Sequence, residues 1–185
     1  WITDPKNPLF ARVFVNRVWY AHFGRGIVAT PNDFGKQGLA PSHPELLDYL
    51  AREFINNGYQ LKSLHKSILL SRVYQISSQG DNPKGIDTLD RNNNLLWKFR
   101  SRRLDAESIR DSFLFISGEL DKTPGEAHPF PDPRSWGFTQ HNPFRAVYET
   151  KKRSVYMMTQ RIQRHPYLAI FDGADTSAST GSRIT

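Results

Sequence analysis

Residues 7–23 read NPLFARVFVNRVWYAHF, and this stretch decides the fold. Asn7 is a good helix cap because its side chain can accept a hydrogen bond from a free amide, and Pro8 fits the first helical position. Apolar residues then recur at helical spacing at positions 10, 13, 14, 18 and 19, and three more widen the stripe. Gly24 suits the left-handed position that ends a helix. The sequence therefore predicts a central helix over residues 9–22.

Two further helices are predicted after a loop rich in glycine and proline. Ser42 and Glu45 have the spacing of a capping box, and Pro44 can occupy the first turn of the helix that follows. Asn57-Gly58 closes that helix. A third helix is predicted over residues 61–74, where leucine, isoleucine and valine share one face. Two helices with so short a connection favour an αα-hairpin.

The second half of the chain is predicted to be less regular. Residues 77–94 are polar and typical of a surface loop, and residues 121–150 are predicted to form an ordered irregular loop. Asp105 can cap a helix that runs to about residue 117, and Gly118 can stop it. A strand is predicted at 154–158 and a short helix at 166–171. The fold class is therefore mainly α: an irregular helical domain with an αα-hairpin, long ordered loops and at most a minor β element.

Residues 1–172 are predicted to form a single helical domain, and residues 173–185 a flexible tail. The chain starts without Met and ends in GSRIT, so we expect it to be a fragment of a larger protein.

Composition excludes several classes of site. The chain has no cysteine, so it holds no disulfide, thiolate zinc site, iron–sulfur cluster or c-type haem attachment. No window approaches the roughly 18 apolar residues of a membrane span. The net charge is +7, but acidic residues accompany the basic ones in most segments. This pattern favours a mildly basic surface over nucleic-acid binding.

One group of charged residues is a candidate catalytic cluster. Glu107 and Asp111 are four residues apart on a predicted helix, so their carboxylates can converge for acid–base chemistry. The competing interpretation is a set of helix-face ion pairs, in which Glu107 pairs with Arg103 and Arg110. Arg17 lies on the largely apolar first helix and would need a carboxylate partner, for which Glu107 or Asp111 are candidates.

His43, beside the cap of the second helix, completes this candidate catalytic cluster. Its competing role is to contact loop carbonyls or a carboxylate. The six histidines lack the compact spacing of a metal site, so no metal ligands are predicted. Asp33 or His43 is expected to contact the segment 102–111.

Candidate binding residues lie mainly in two loops, because binding residues often lie on loops held by a rigid scaffold. The first loop, residues 25–43, and the second, residues 129–148, would form one binding face. The candidates in and beside these loops and on the charged helix are Arg25, Asp33, Arg103, Arg110, His128, Trp136 and His141.

The motifs together resemble a family of C-terminal domains of unknown function, the one numbered 1553. The matching stretches include NPLFARVFVNRVWYAHFGRGIV, DFGKQGLAPSHPELLDYLAREF, LKSLHKSILLSRVYQISS, NNLLWKFRSRRLDAESIRDSFLFISGEL and KRSVYMMTQR with LAIFDGAD. They cover most of the chain in the family's order.

This resemblance implies a helical module of a large, exported bacterial protein that often also carries a cytochrome-c-like domain. Haem c would then belong to another part of the parent, and no cofactor is expected in this segment. The family supplies no catalytic residues that could be transferred to this chain.

Three functions remain open from the sequence. The first is a module that binds a partner domain of the same polypeptide or an extracellular substrate such as a polysaccharide. The second is an enzyme domain, hydrolytic or redox-linked, that uses Arg17, His43, Glu107 and Asp111. The third is nucleic-acid binding, which rests on charge alone.

Overall fold

A computed structural model describes residues 1–2, 4, 6–79, 83–128, 130–139, 141–142, 144, 147–160, 164–171 and 173. Helices account for 40% of the described residues and strands for 1%, which confirms the predicted mainly α fold. Two compact units make up the structure, Trp1–Arg102 and Arg103–Thr185, here the N-terminal and C-terminal units. One domain over residues 1–172 stays a prediction. The predicted tail lies outside the described residues, apart from Gly173.

The first helix, α1, spans Pro8–Phe23 and confirms the prediction from its caps. The side chain of Asn7 accepts a hydrogen bond from the backbone amide of Leu9 at 3.1 Å. Gly24 adopts the left-handed conformation, with φ of 73°, and its amide donates to the carbonyl of Tyr20. Its 16 residues make α1 the longest described helix. No helix in the described ranges has the length and hydrophobicity that crossing a membrane requires.

Helices α2 (Pro44–Asn56) and α3 (Leu61–Leu69) form the predicted αα-hairpin and pack on α1. Phe14 of α1 stacks on Phe54 of α2 with ring centroids 4.9 Å apart. These contacts belong to one apolar core that fills the N-terminal unit. Its buried residues are Ala11, Val15, Val18, Trp19, Phe23, Ile27, Val28, Leu47, Leu50, Ala51, Phe54, Leu64 and Ile68.

Two details of the hairpin were predicted wrongly. His43, and not Ser42, is the cap of α2, and no side chain caps it. The Ser42 hydroxyl donates instead to the carbonyl of Ile27 at 3.2 Å, so it closes the preceding loop. Helix α3 ends at Leu69, five residues before its predicted end. The Ser71 hydroxyl donates to the carbonyl of Ile68 at 2.6 Å and so competes with the hydrogen bonds of the helix.

The loop predicted at 77–94 contains one short helix that the sequence did not reveal, α4 (Ile86–Leu89). Helix α5 (Ala106–Ile116) in the C-terminal unit begins as predicted. The carboxylate of its cap Asp105 accepts from the amide of Ser108 at 2.8 Å. It ends just before Gly118, whose φ is 76°. Helix α6 (Pro166–Ile170) also confirms a prediction.

The predicted strand at 154–158 is wrong, because Ser154–Tyr156 form a 3₁₀ turn. The amide of Ser154 donates to a carboxylate oxygen of Asp111 at 2.8 Å, so it is not available to a β-ladder. The β structure found among the described residues is one isolated parallel bridge between Asp121 and Lys152. The C-terminal unit buries a small apolar core formed by Ala106, Met157 and Leu168, against which Tyr167 and Phe171 pack.

Candidate functional site

Six aromatic rings in the loop between α5 and the 3₁₀ turn contact one another in succession. We call this set the aromatic surface: His128, Phe130, Trp136, Phe138, Phe144 and Tyr148. His128 stacks on Tyr148, with ring centroids 6.0 Å apart and planes 15° from parallel. His128 also contacts Phe130 edge-on at 6.4 Å. The loop is therefore held together by ring packing, although it has little regular secondary structure.

The contacts continue from ring to ring. Phe130 lies 5.9 Å from Phe144, which packs edge-on against Phe138 at 4.9 Å. Phe138 in turn lies 6.2 Å from Trp136. These distances are within the range at which aromatic pairs attract each other. The six rings thus form one unbroken row.

Three of the six rings remain exposed in spite of these contacts, and the other three are partly buried. Phe130 is 58% exposed, Trp136 is 54% exposed and Phe138 is 42% exposed. Contiguous exposed apolar surface of this kind marks interaction sites in soluble proteins, because leaving it in water is unfavourable. The aromatic surface is therefore the first candidate for a binding site.

Hydrogen bonds fix the orientation of Trp136. Its indole nitrogen donates to the carbonyl of Pro131 at 2.8 Å. Asp132 caps the one-turn 3₁₀ helix Pro133–Ser135, since its carboxylate accepts from the amide of Arg134 at 2.8 Å. The ring is thus held in place before any ligand arrives, which reduces the entropic cost of binding.

The two ends of the aromatic loop are tied together at Asp121 and Lys152. The amide of Asp121 donates to the carbonyl of Lys151 at 3.0 Å. The ammonium group of Lys152 lies 3.0 Å from the Asp121 carboxylate. Hydrogen bonds from Thr123 and then Lys152 lower the pKa of Asp121 to about 2. The carboxylate therefore stays ionised at any physiological pH.

Helix α5 anchors the base of the aromatic loop, where its two ends meet, through Arg110 and Asp111. The guanidinium of Arg110 donates to the carbonyl of Lys152 at 3.0 Å and also to the carbonyl of Thr150. The Asp111 carboxylate accepts from the hydroxyl of Ser154 at 2.6 Å. Arg110 is 9% exposed, so these bonds satisfy a charge that would otherwise be costly to bury.

Gly125 permits the close packing at the start of this loop. A Cβ atom on Gly125 would lie 2.6 Å from the ring of Tyr156. Glycine is therefore required unless the tyrosine moves.

A cavity of about 580 Å³ lies in the C-terminal unit beside this base. Both ring nitrogens of His165 and the hydroxyl of Tyr167 are shielded from solvent, and they form no hydrogen bond in the described ranges. Burial lowers the pKa of His165, Glu149 opposes this effect and Arg110 adds to it. The lining residues are Arg110, Phe113, Leu114, Glu119, Glu149, Thr150, Lys151, His165, Pro166 and Tyr167.

The residues predicted as a catalytic cluster belong to different units. Arg17 and His43 lie in the N-terminal unit, and Glu107 and Asp111 lie in the C-terminal unit. Arg17 donates to the side-chain oxygen of Asn32 at 3.4 Å. The catalytic cluster, and the expected contact of the segment 102–111 with Asp33 or His43, stay predictions.

The predicted binding residues of the first loop have distinct surroundings. The carboxylate of Asp33 accepts from the amide of Gly35 at 3.1 Å, so it shapes a turn. Nδ1 of His43 lies 3.0 Å from the Ser42 hydroxyl. Arg25 lines a small cavity of the N-terminal unit.

Among the candidates in the C-terminal unit, the structure brings His128 and Trp136 into the aromatic surface. His141 lies in an exposed turn closed by reciprocal backbone hydrogen bonds between Thr139 and Asn142. Arg103 is exposed ahead of α5. Phe130, Phe138, Phe144 and Tyr148 were not predicted as binding residues. The signal was present, since residues 128–148 include five Phe, Trp or Tyr residues and four prolines.

The described residues contain no group of three or more His, Asp or Glu side chains that could hold a metal ion.

A family model described as PSD1, Protein of unknown function (DUF1553), matches residues 1–185. No curated protein matches the chain. No solved structure matches it either.

Proposed function

The chain belongs to the DUF1553 family of proteins of unknown function, and we propose that it is a polysaccharide-binding module of an exported bacterial protein. The aromatic surface of the C-terminal unit is the binding face. The single observation that carries this proposal is the unbroken row of six rings, several of which are half exposed.

Sugar rings suit this surface for a chemical reason. One face of a pyranose ring is covered by C–H groups, which pack well on the electron-rich face of an aromatic ring. The hydroxyl groups at the edge of the sugar remain in water or bond to polar groups of the protein. A row of rings can contact several sugar units in succession, whereas a single exposed ring would hold one.

The anchoring of the row supports the same function. Trp136 is fixed by its bond to Pro131, and the base of the loop is fixed by Arg110, Asp111 and Lys152. A surface that keeps its shape without the ligand loses little conformational entropy when the ligand binds. The aromatic surface therefore combines exposed rings with anchored positions, as carbohydrate binding requires.

A second candidate function, docking of another domain of the same polypeptide, has its own observation. Helix α5 leaves three large apolar side chains exposed: Phe113 at 58%, Phe115 at 61% and Ile116 at 80%. Phe113 and Ile116, three residues apart, share one face of the helix, and exposed apolar surface of this kind is typical of protein interfaces. A cytochrome-c-like domain of the parent protein is the proposed partner. Ile116→Ser should weaken that docking and leave polysaccharide binding unchanged.

Affinity electrophoresis and pull-down on neutral and acidic polysaccharides test the main proposal. Trp136→Ala and Phe138→Ala are expected to weaken binding about tenfold or more, because each removes a ring worth about 1.5–3 kcal/mol when buried. Trp1→Ala is the matched control, since Trp1 is 92% exposed and lies outside the aromatic surface. Unchanged binding of both loop variants would contradict the proposal.

A further inference from the structure

A small cavity in the N-terminal unit collects positive charge. Its volume is about 20 Å³, enough for one water-sized group. Among the described lining residues, three are arginine or histidine and none is acidic. The lining residues are Trp19, Phe23, Arg25, Gly26, Ile27, Ser42, His43, Asn93, Asn94, Leu96 and Arg100.

Two of these residues, Arg25 and Arg100, carry like charges and line the same cavity. Burial lowers the pKa of Arg100, the charge of Arg25 lowers it further, and Asp90 raises it by a smaller effect. The two oxygens of Asp90 accept from the amides of Asn94 and Leu95, each at 2.7 Å, and Asp90 forms no ion pair with Arg100. No described carboxylate forms an ion pair with Arg25. The cavity thus holds two like charges that lack a shared counter-ion.

The wall that carries Arg100 is built by specific contacts. The guanidinium of Arg100 donates to the carbonyl of Asn93 at 3.3 Å and also to that of Asn92. The Asn93 side chain donates to the carbonyl of Lys98 at 2.7 Å. Leu96 adopts a left-handed conformation with φ of 56°, which is unusual for a bulky side chain. Backbone strain of this kind persists only where the surrounding structure holds it, and it is frequent at ligand sites.

The start of α2 adds to the positive potential. His43 lines the cavity as the cap residue of this 13-residue helix, and no side chain caps the first-turn amides. Free amides at a helix start favour an anion. They support the two arginines here and would not be sufficient without them.

We propose that this cavity binds the carboxylate group of a small acid or of an acidic sugar between Arg25 and Arg100. The planar guanidinium groups match the two oxygens of a carboxylate. The limited volume admits one carboxylate oxygen and leaves the second at the mouth of the cavity, whereas a tetrahedral sulfate would need more room. The rest of the ligand lies outside the cavity. This site is separate from the aromatic surface and does not depend on it.

Titration calorimetry with acetate, glucuronate and sulfate, at constant ionic strength in chloride, tests this site. Acetate and glucuronate should bind the wild-type protein, and Arg25→Gln and Arg100→Gln should each weaken binding about tenfold or more. Arg25→Lys, which keeps the charge and loses the planar fork, should bind with intermediate affinity. The control is Arg91→Gln, because Arg91 is exposed and does not line the cavity.

A second measurement separates a ligand site from a structural one. Without ligand, Arg25→Gln should raise the melting temperature, because it removes a repulsion; with saturating acetate, the wild-type protein should regain that difference. If glucuronate binds more tightly than acetate, the ligand is an acidic sugar, and the reverse assigns a small free acid. Failure of both to bind, affinities unchanged in the Arg25 and Arg100 variants, or sulfate as the tightest ligand would overturn the proposal.

Discussion

The side chain of Asn16 and the backbone of Val28 form a reciprocal pair of hydrogen bonds. The amide nitrogen of Asn16 donates to the carbonyl of Val28 at 3.0 Å, and its oxygen accepts from the Val28 amide at 2.8 Å. Asn16 is fully buried and Val28 is 3% exposed, so water cannot replace either bond. The pair fastens the loop after α1 to the middle of that helix. A polar residue on an apolar helix is thus explained by the loop that it holds.

Asn16→Leu should lower the free energy of unfolding by about 2–4 kcal/mol, because it leaves the amide and carbonyl of Val28 buried without partners. Urea denaturation followed by circular dichroism measures the change. Asn56→Leu is the control, since Asn56 is exposed at the end of α2, and its effect should stay within about 0.5 kcal/mol. Equal stability of the two variants would show that the pair contributes little.

Gly26→Ala should also destabilise the N-terminal unit, by about 1–3 kcal/mol. The added Cβ would lie 2.4 Å from the carbonyl oxygen of Val28 and 2.7 Å from the side-chain nitrogen of Asn16. Gly137→Ala is the matched control, since a Cβ there meets nothing within 4 Å. The thermal unfolding of the two variants should therefore differ, and a Gly26 variant as stable as the wild-type protein would argue against this packing.

Stability should fall in mild acid because of His22. Its Nε2 lies 2.7 Å from Nδ1 of His65. Burial, then His65, then Arg102 lower the pKa of His22. The unfolded chain, with a histidine pKa of about 6.5, therefore binds protons at a pH where folded His22 does not. The stability that depends on neutral His22 is fully present above about pH 6.5 and is lost as the pH falls through the pKa of His22 in the folded protein.

His22→Gln tests this by the slope of unfolding free energy against pH between about 7 and 5. The slope should be smaller than in the wild-type protein, whereas His141→Gln, at an exposed position, should leave it unchanged. Parallel pH profiles for wild-type protein and the His22 variant would rule out the assignment.

Arg110→Met should release the base of the aromatic loop. The substitution removes the bonds to the carbonyls of Thr150 and Lys152, at an expected cost of about 2–4 kcal/mol to the C-terminal unit. Hydrogen exchange should quicken most at residues 150–154 and little in α1. Arg134→Met, at an exposed position of the loop, is the comparison variant. If exchange rose equally in both variants, Arg110 would not be the anchor.

Local signals predicted the helices well, because a cap acts on its own neighbours. Asn7, Gly24, Asp105 and Gly118 all act at the helix ends where the sequence placed them. The prediction from Ser42 was wrong, because its hydroxyl donates to the carbonyl of Ile27, fifteen residues earlier, and does not cap α2. A capping box cannot be distinguished from such a long-range bond by spacing alone.

The candidate site was harder to predict because it depends on contacts between distant residues. The prediction of a strand at 154–158 was wrong because the amide of Ser154 donates to the carboxylate of Asp111, 43 residues earlier. Trp136 and His128 were proposed from their position in an aromatic loop. The contact of His128 with Tyr148 depends on how the loop folds back, which the order of residues does not specify.

The most direct test of the binding function is an NMR titration of the indole N–H signals. The chain has four tryptophans, so each signal can be assigned by substitution. On addition of a polysaccharide that the protein retains, the signal of Trp136 should shift and follow the binding curve. The signals of Trp1, which is exposed elsewhere, and of Trp19, which is 4% exposed in the core, should stay constant. A Trp136 signal that does not move while the polysaccharide binds would contradict the account.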